Sequence, residues 1–405
     1  MTSGDLLPHT CPVKTAVSKA GGCSTRALRM DVWGLRLLML MLAAGSIVGH
    51  GTCDAVQEHG GVRTSNSMVS AMFVFGDSVV DAGTNSYFPS LLQANYKPYG
   101  AQYFGKPTGR FTNGRTFADF FAEKIGLPFA EPYLKRKGKW SIMQGVNYAS
   151  AGGGIFRVTN LEFKVIPLSD QILQFAQTKT SIEQTLKSTA AAKELFSKSL
   201  FLINIGTNDL VTYLFNPSLP IRDYLRNSMD ALEDAVKQLY NAGGRKFMFL
   251  DVGPIGCVPA IVANARVEDG TCLESVNDLT KNYNTALEEL VLEKLPGTFK
   301  GIHVIIGKLY ETFDVMVNNA SAYGFTEGVT ACCGSGLYNA ETQCGRPADL
   351  ITNPPYNLCD NVDKYVFWDY FHPSERAYGI VADKLWNGVV NSLIKRQSFD
   401  VLALS

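Results

Sequence analysis

Phe73-Val74-Phe75-Gly76-Asp77-Ser78-Val79-Val80-Asp81-Ala82-Gly83-Thr84-Asn85 decides how the chain folds, because an apolar run ends abruptly there in a polar, glycine-containing turn. Similar short apolar runs occupy 71–75, 199–205, 246–252 and 302–306. Their near-continuous apolarity predicts strands covered on both faces, as in a parallel sheet, rather than the alternation of a half-exposed strand. Between them, 116–125, 221–241, 273–295 and 375–394 have the length and spacing of helices that pack on such a sheet. The expected fold is α/β, a three-layer α/β/α sandwich with a mainly parallel sheet whose sites form at the carboxyl ends of strands. Ser78 sits at the exit of the first strand, where Gly76 allows a tight turn beside it. Taken alone, the segment reads more simply as a helix N-cap.

The histidines separate the two readings. A serine hydroxyl is a poor nucleophile until a base takes its proton, and beyond the leader the chain offers only His59, His303 and His372. His59 falls in a polar stretch and His303 within a strand, where a structural role is the simpler reading. His372 lies in Phe367-Trp368-Asp369-Tyr370-Phe371-His372-Pro373-Ser374-Glu375. Pro373 biases His372 away from helical geometry and suits the first turn of the helix that follows, so Asp369 and His372 are presented together from a loop. An aspartate that accepts the Nδ1 proton leaves Nε2 free to accept from Ser78. Donors for a developing oxyanion are offered by Asn147-Tyr148-Ala149-Ser150-Ala151-Gly152-Gly153-Gly154 and by Gly206-Thr207-Asn208-Asp209, which point to the N–H of Ser78, the N–H of Gly152 and the amide of Asn208. A phosphate-binding loop is excluded, since no Gly-Lys-Ser/Thr follows the glycines.

In this order, Gly76-Asp77-Ser78, Gly152, Gly206-Thr207-Asn208-Asp209 and Asp369-x-x-His372 resemble the four blocks of the GDSL, or SGNH, hydrolases, and the plant secreted branch most closely. The resemblance extends to Gly109-Arg110-Phe111-Thr112-Asn113-Gly114-Arg115, Asp170-Gln171-Ile172-Leu173-Gln174-Phe175, Asp251-Val252-Gly253-Pro254-Ile255-Gly256-Cys257-Val258-Pro259, Tyr323-Gly324-Phe325 and Cys332-Cys333-Gly334, and covers about 71–395. It implies a flavodoxin-like fold and acyl-ester hydrolysis without a metal or other cofactor, with Ser78, Asp369 and His372 as a triad and Ser78, Gly152 and Asn208 as the oxyanion hole. Val79 stands where the name-giving motif has leucine, and Ala151 where plant members have a further glycine. An acyltransferase with the same triad, or a binding protein that kept the fold, would carry the same residues.

Composition sets the partners and the compartment. Lys plus Arg and Asp plus Glu both total 37, so no global field draws the chain to nucleic acid or an anionic membrane. The expected substrate is a small-molecule or lipid ester, or an acylated cell-wall polymer. The basic Lys135-Arg136-Lys137-Gly138-Lys139, followed by Trp140, reads as a solvated loop or a contact for acidic polysaccharide. The apolar run 37–48, preceded by Arg29 and Arg36 and followed by small residues to Ala55, reads as a secretory signal, too short for a membrane anchor. Met30 is an alternative start, and 1–29, with Asp5 as its lone acid, also suits an organelle transit peptide such as a plastid one. The domain plan is leader 1–55, polar linker 56–70, hydrolase domain 71–396 and tail 397–405. Cleavage after Ala55 leaves Cys257, Cys272, Cys332, Cys333, Cys344 and Cys359, an even set without a Cys-x-x-Cys pair, which favours disulfides over zinc. Asn319-Ala320-Ser321 is a glycosylation sequon.

Overall fold

The structure, a computed structural model, describes residues 69–135, 141–345 and 356–390. The leader, most of the polar linker with His59, the basic stretch after Lys135 and the tail lie outside the described residues.

Five strands form the central sheet: β1 (Met72–Gly76), β2 (Gly145–Asn147), β3 (Leu200–Asn204), β4 (Lys246–Leu250) and β5 (His303–Gly307), in the order β2-β1-β3-β4-β5. Every adjacent pair is parallel. Met72 aligns with Gly145 and Leu200, Leu200 with Lys246, and Lys246 with His303, so the strands start level and their carboxyl ends share one edge. From β1 the chain passes to β2 on one side and then to β3 on the other. That reversal opens a crevice at the ends of β1 and β3, as in flavodoxin-like sheets.

The flanking helices are α1 (Phe117–Lys124), α2 (Leu168–Leu186), α3 (Thr189–Ser197), α4 (Thr207–Phe215), α5 (Ile221–Ala242), α6 (Glu274–Glu289), α7 (Leu309–Asn318) and α8 (Glu375–Leu385). Alternate strand residues supply each face. Phe73 meets Phe175 of α2 at 5.4 Å and Phe196 of α3 at 5.6 Å, and Phe201 stacks on Phe247 at 5.1 Å. On the opposite face, Met248, Leu250 and Leu385 of α8 converge around Gly307. Burial on both sides is why these strands read as continuous apolar runs. Helix α5 shows the complementary pattern: Tyr224, Ser228, Met229, Leu232, Ala235, Val236, Leu239 and Ala242 are buried at helical spacing, and the helix stops at Gly243 with φ 121°.

A second, smaller core lies beyond the sheet edge. Beside it β6 (Glu327–Ala331) pairs with β9 (Tyr365–Phe367), whose buried residues join the main core, and β7 (Cys333–Gly334) pairs with β8 (Asn357–Leu358). Disulfides join Cys257 to Cys272, Cys332 to Cys359 and Cys333 to Cys344, which accounts for all six cysteines left after the leader. The last two pack with Ala94, Tyr99, Phe111, Ala151 and Trp368.

Two expectations shift in detail. The helix from 375 keeps α geometry only to Leu385 and continues as a π-type turn at Trp386–Val390, and α6 likewise passes into a π-type turn at Leu290–Lys294. Pro373 stands before the helix rather than in its first turn, because Ser374 is the N-cap and accepts from Ala377 N–H.

Candidate active site

Ser78 follows β1 directly. Its Oγ lies 2.8 Å from Nε2 of His372, whose Nδ1 lies 2.9 and 3.0 Å from the two carboxylate oxygens of Asp369. The serine is therefore not an N-cap. All three side chains are buried or nearly so, with Ser78 8% and His372 5% exposed.

The turn after β1 is shaped by side chains reaching back to the main chain. Gly76 has φ 149°, and a Cβ there would fall 2.0 Å from the carbonyl oxygen of Asn204, so a larger residue is barred. Gln171 of α2 accepts from Gly76 N–H and donates to Gly76 C=O, both at 2.8 Å. Asp77 accepts from Val79 N–H at 3.1 Å, and Asn147 donates to Val80 C=O at 2.7 Å. The carboxylate of Asp81 accepts from Gly83 and Thr84 N–H, each at 2.7 Å, and from Ala151 N–H at 2.9 Å. One side chain thus ties the serine turn to the glycine loop after β2.

Gly152 follows Ala151 with φ 77°, and a Cβ would strike Leu92 and Val165. With Ala151 N–H taken by Asp81, the N–H groups of Gly152 and of Ser78 donate to no acceptor among the described residues. Asn208 is the second residue of α4, which starts three positions after β3 ends. Its Nδ2 donates to Gly153 C=O at 3.1 Å and lies 3.4 Å from Asp77, while Asn160 donates to Asn208 Oδ1 at 3.3 Å and to Gly152 C=O at 3.0 Å. Asp209 accepts from Ile155 N–H at 2.9 Å and Thr159 Oγ1 at 2.7 Å, fixing the far end of the glycine loop. Burial pushes the carboxyl of Asp77 up to about 7 and those of Asp81 and Asp209 up to about 6, against the N–H donors that favour their charged forms.

The histidine arrives on a different scaffold. Trp368 N–H donates to His372 C=O at 2.8 Å, closing a tight loop in which Asp369 accepts from Phe371 N–H at 2.9 Å and His372 N–H at 2.7 Å. The spacing of three residues brings the carboxylate under the imidazole because these main-chain donors turn it inward. Cys332 and Cys333 N–H pair with Phe367 and Trp368 C=O, so the half-cystines line the segment just before Asp369. Thr112 donates to Pro373 C=O at 3.1 Å, Asn113 accepts from Glu375 N–H at 2.8 Å, and Arg115 pairs with Glu375 at 2.7 Å. Ala260 N–H donates to Tyr370 C=O at 2.9 Å. The Gly109 motif is thereby explained as a clamp on the histidine loop and its helix, whereas Asp251 accepts from Leu309 and Tyr310 N–H at the start of α7.

Of the five residues singled out in the sequence, Ser78, Asp369 and His372 meet by direct contact, and Asn208 reaches Asp77 and Gly153, the chain neighbours of Ser78 and Gly152. Asp81, Asp209, Asn160 and Tyr99, the last donating 2.6 Å to Asp369, carry no assignment from sequence. Val79 is only partly buried and packs on the main core, and His303 opens β5 as an exposed residue. Among the described residues, no group of three or more His, Cys, Asp or Glu is arranged to hold a metal ion, and no helix is long and apolar enough to cross a membrane.

Comparison with known proteins gives concordant results. Residues 72–385 match the family model described as GDSL-like lipase/acylhydrolase. GDSL esterase/lipase 6 of Arabidopsis thaliana is 36% identical over 350 residues, covering 84% of this chain and 92% of that one. GDSL esterase/lipase 2 of the same plant is 35% identical over 363 residues, covering 87% and 94%. A solved structure titled as a GDSL-like lipase from Parabacteroides merdae aligns at 12% identity over 79% of this chain and 95% of that one, with a TM-score of 0.36, too low to build on.

Proposed function

The chain belongs to the GDSL-like lipase/acylhydrolase family and is accordingly a carboxylic ester hydrolase, and we propose that it works through a serine relay in the crevice between β1 and β3. In this reading Ser78 is the nucleophile, His372 the general base and Asp369 the residue that orients and stabilises the imidazole. His372 Nε2 takes the Ser78 proton as Oγ attacks the ester carbonyl. The oxyanion is met by Ser78 N–H, Gly152 N–H and Asn208 Nδ2, for which the long 3.4 Å contact to Asp77 is the one given up. Collapse expels the alcohol with the proton held by His372. Water then enters, loses a proton to the same nitrogen and releases the acid, restoring Ser78.

What supports this reading most directly is the continuous chain from Ser78 Oγ through both ring nitrogens of His372 to Asp369, at 2.8 and 2.9 Å, beside two main-chain N–H groups that donate to nothing among the described residues. The substrate class is a small-molecule or lipid ester, with an acylated cell-wall polymer as the polymeric case. Secretion is part of the proposal and is favoured by three disulfides, which persist in oxidising compartments. Asn319 of the sequon is exposed at the end of α7, where a glycan has room.

The test is turnover of short and long p-nitrophenyl esters with labelling by a fluorophosphonate, run beside Ser78→Ala. Loss of labelling and a fall in kcat of about 10⁴ or more support the relay. An unchanged Ser78→Ala rejects it. Adding a competing alcohol separates hydrolysis from acyl transfer by the product formed.

A further inference from the structure

We propose that Tyr99 is a positioning residue of this relay: its phenol, donating to Asp369 Oδ2 at 2.6 Å, locks the rotation of the carboxylate and so the aim of the His372 imidazole. The inference rests on the triad reading above. Asp369 Oδ1 is held by Phe371 N–H and His372 N–H, both from its own loop, whereas Oδ2 has, besides the imidazole, a single donor among the described residues. That donor comes from 270 positions away. Without it, every hydrogen-bond donor to the Asp369 carboxylate among the described residues would come from the loop that carries Asp369.

The phenol is itself well fixed. Its ring is wholly buried and meets Tyr96 at 5.5 Å, Trp368 at 5.9 Å and Phe111 at 6.0 Å, and Phe111 also lies 4.9 Å from the His372 ring. The disulfides of Cys332 and Cys333 close the same cage, and Gly345, next to Cys344, sits against Lys97 and Pro98 just before Tyr99. Such a cage allows little rotamer freedom, which a donor needs if it is to fix its acceptor. Burial and the Asp369 charge hold the phenol far above its ordinary pKa, so it stays a donor while the enzyme works. The titratable groups facing the pair are His372, Asp77, Tyr96, Tyr370 and Tyr378. Asp77 and the tyrosines are unchanged by a substitution at Tyr99, so a shifted pH profile reports on Asp369 and His372.

The experiment is steady-state kinetics of Y99F, D369N and the double variant in the full chain, with active-site titration by a fluorophosphonate so that kcat refers to folded enzyme only. Y99F is expected to lower kcat about tenfold, the scale of one hydrogen bond to a charged group, with KM changed less than about twofold. The acid limb of kcat/KM should move to higher pH, because a carboxylate that no longer shares its charge with the phenol favours the imidazolium. In D369N the further change Y99F should cost nothing. The proposal is overturned if kcat and the acid limb of Y99F match the parent, or if the two substitutions are additive. Ser78→Ala, run in parallel, keeps the two readings apart: an active Ser78→Ala removes the triad, and Tyr99 with it, while an inactive Ser78→Ala beside a parent-like Y99F removes Tyr99 alone.

Discussion

The two halves of the crevice are held by different means. The half that carries Ser78, Gly152 and Asn208 grows from adjacent parallel strands, and its loops are tied by buried side chains, Asp81, Asp209 and Gln171, to main-chain groups of the same sheet edge. The half that carries Asp369 and His372 stands outside the sheet. It is held by two disulfides, an aromatic cage and hydrogen bonds from the loop before α1. Topology thus positions Ser78, while covalent and polar bracing positions His372. Each half should fail in its own way.

Among the residues that brace the two halves, the largest effect is expected from Asp81→Ala. It strands the N–H groups of Gly83, Thr84 and Ala151 and frees the glycine loop, so kcat should fall by about a hundredfold or more, with a drop in Tm, since each buried unsatisfied donor costs ~1–3 kcal/mol. A parent-like kcat would mean that the sheet alone holds the glycine loop in place. Next is the paired change Cys332→Ser with Cys359→Ser. Opening a loop of sequence separation 27 should cost about 2–4 kcal/mol, and the loss should fall on activity before far-UV circular dichroism, since the sheet does not depend on this bridge. Simultaneous loss of both signals would show the halves to be one cooperative unit.

A pH effect sharpens the contrast. Asp77, Asp81 and Asp209 all belong to the sheet half and bind their protons more tightly folded than unfolded, at about 7, 6 and 6 against an ordinary 3.8. A raised carboxyl contributes stability that is fully present below the unfolded value and lost as pH rises through the folded one, so Tm should decline from about pH 4 to pH 7. Asp77→Asn should flatten that decline by about 3 °C, measured by differential scanning calorimetry. The smallest effect is expected at Arg266, mostly exposed in its pair with Glu341 at 2.8 Å: Arg266→Ala should change stability by less than ~0.5 kcal/mol in urea unfolding.

Legibility in the sequence follows the same division. Strands β1, β3 and β4 announce themselves because both faces are buried, and β5, partly exposed at the sheet edge, because Val304-Ile305-Ile306 is still an apolar run, but β2, only Gly-Val-Asn, has no pattern to read. Ser78, His372 and Asp369 stand out because few residue types do this chemistry and the histidines are few. Asp81, Asp209 and Gln171 do not, since most of their partners are main-chain N–H and C=O groups that any residue supplies, and the links that matter, to Ala151, Ile155 and Gly76, come from distant positions. Tyr99 is hidden for another reason: its acceptor lies 270 residues on, and only the folded cage brings them together. The cysteine pairing is equally illegible, as six cysteines allow 15 connectivities.

The link between Gln171 and Gly76 has a use of its own. The Gly76 amide proton is held by a helix side chain instead of a neighbouring strand, so it can exchange with deuterium only when α2 lifts from β1. A single amide two residues from Ser78 therefore acts as a clock for the breathing of the helix layer, read by mass spectrometry or NMR without any substrate.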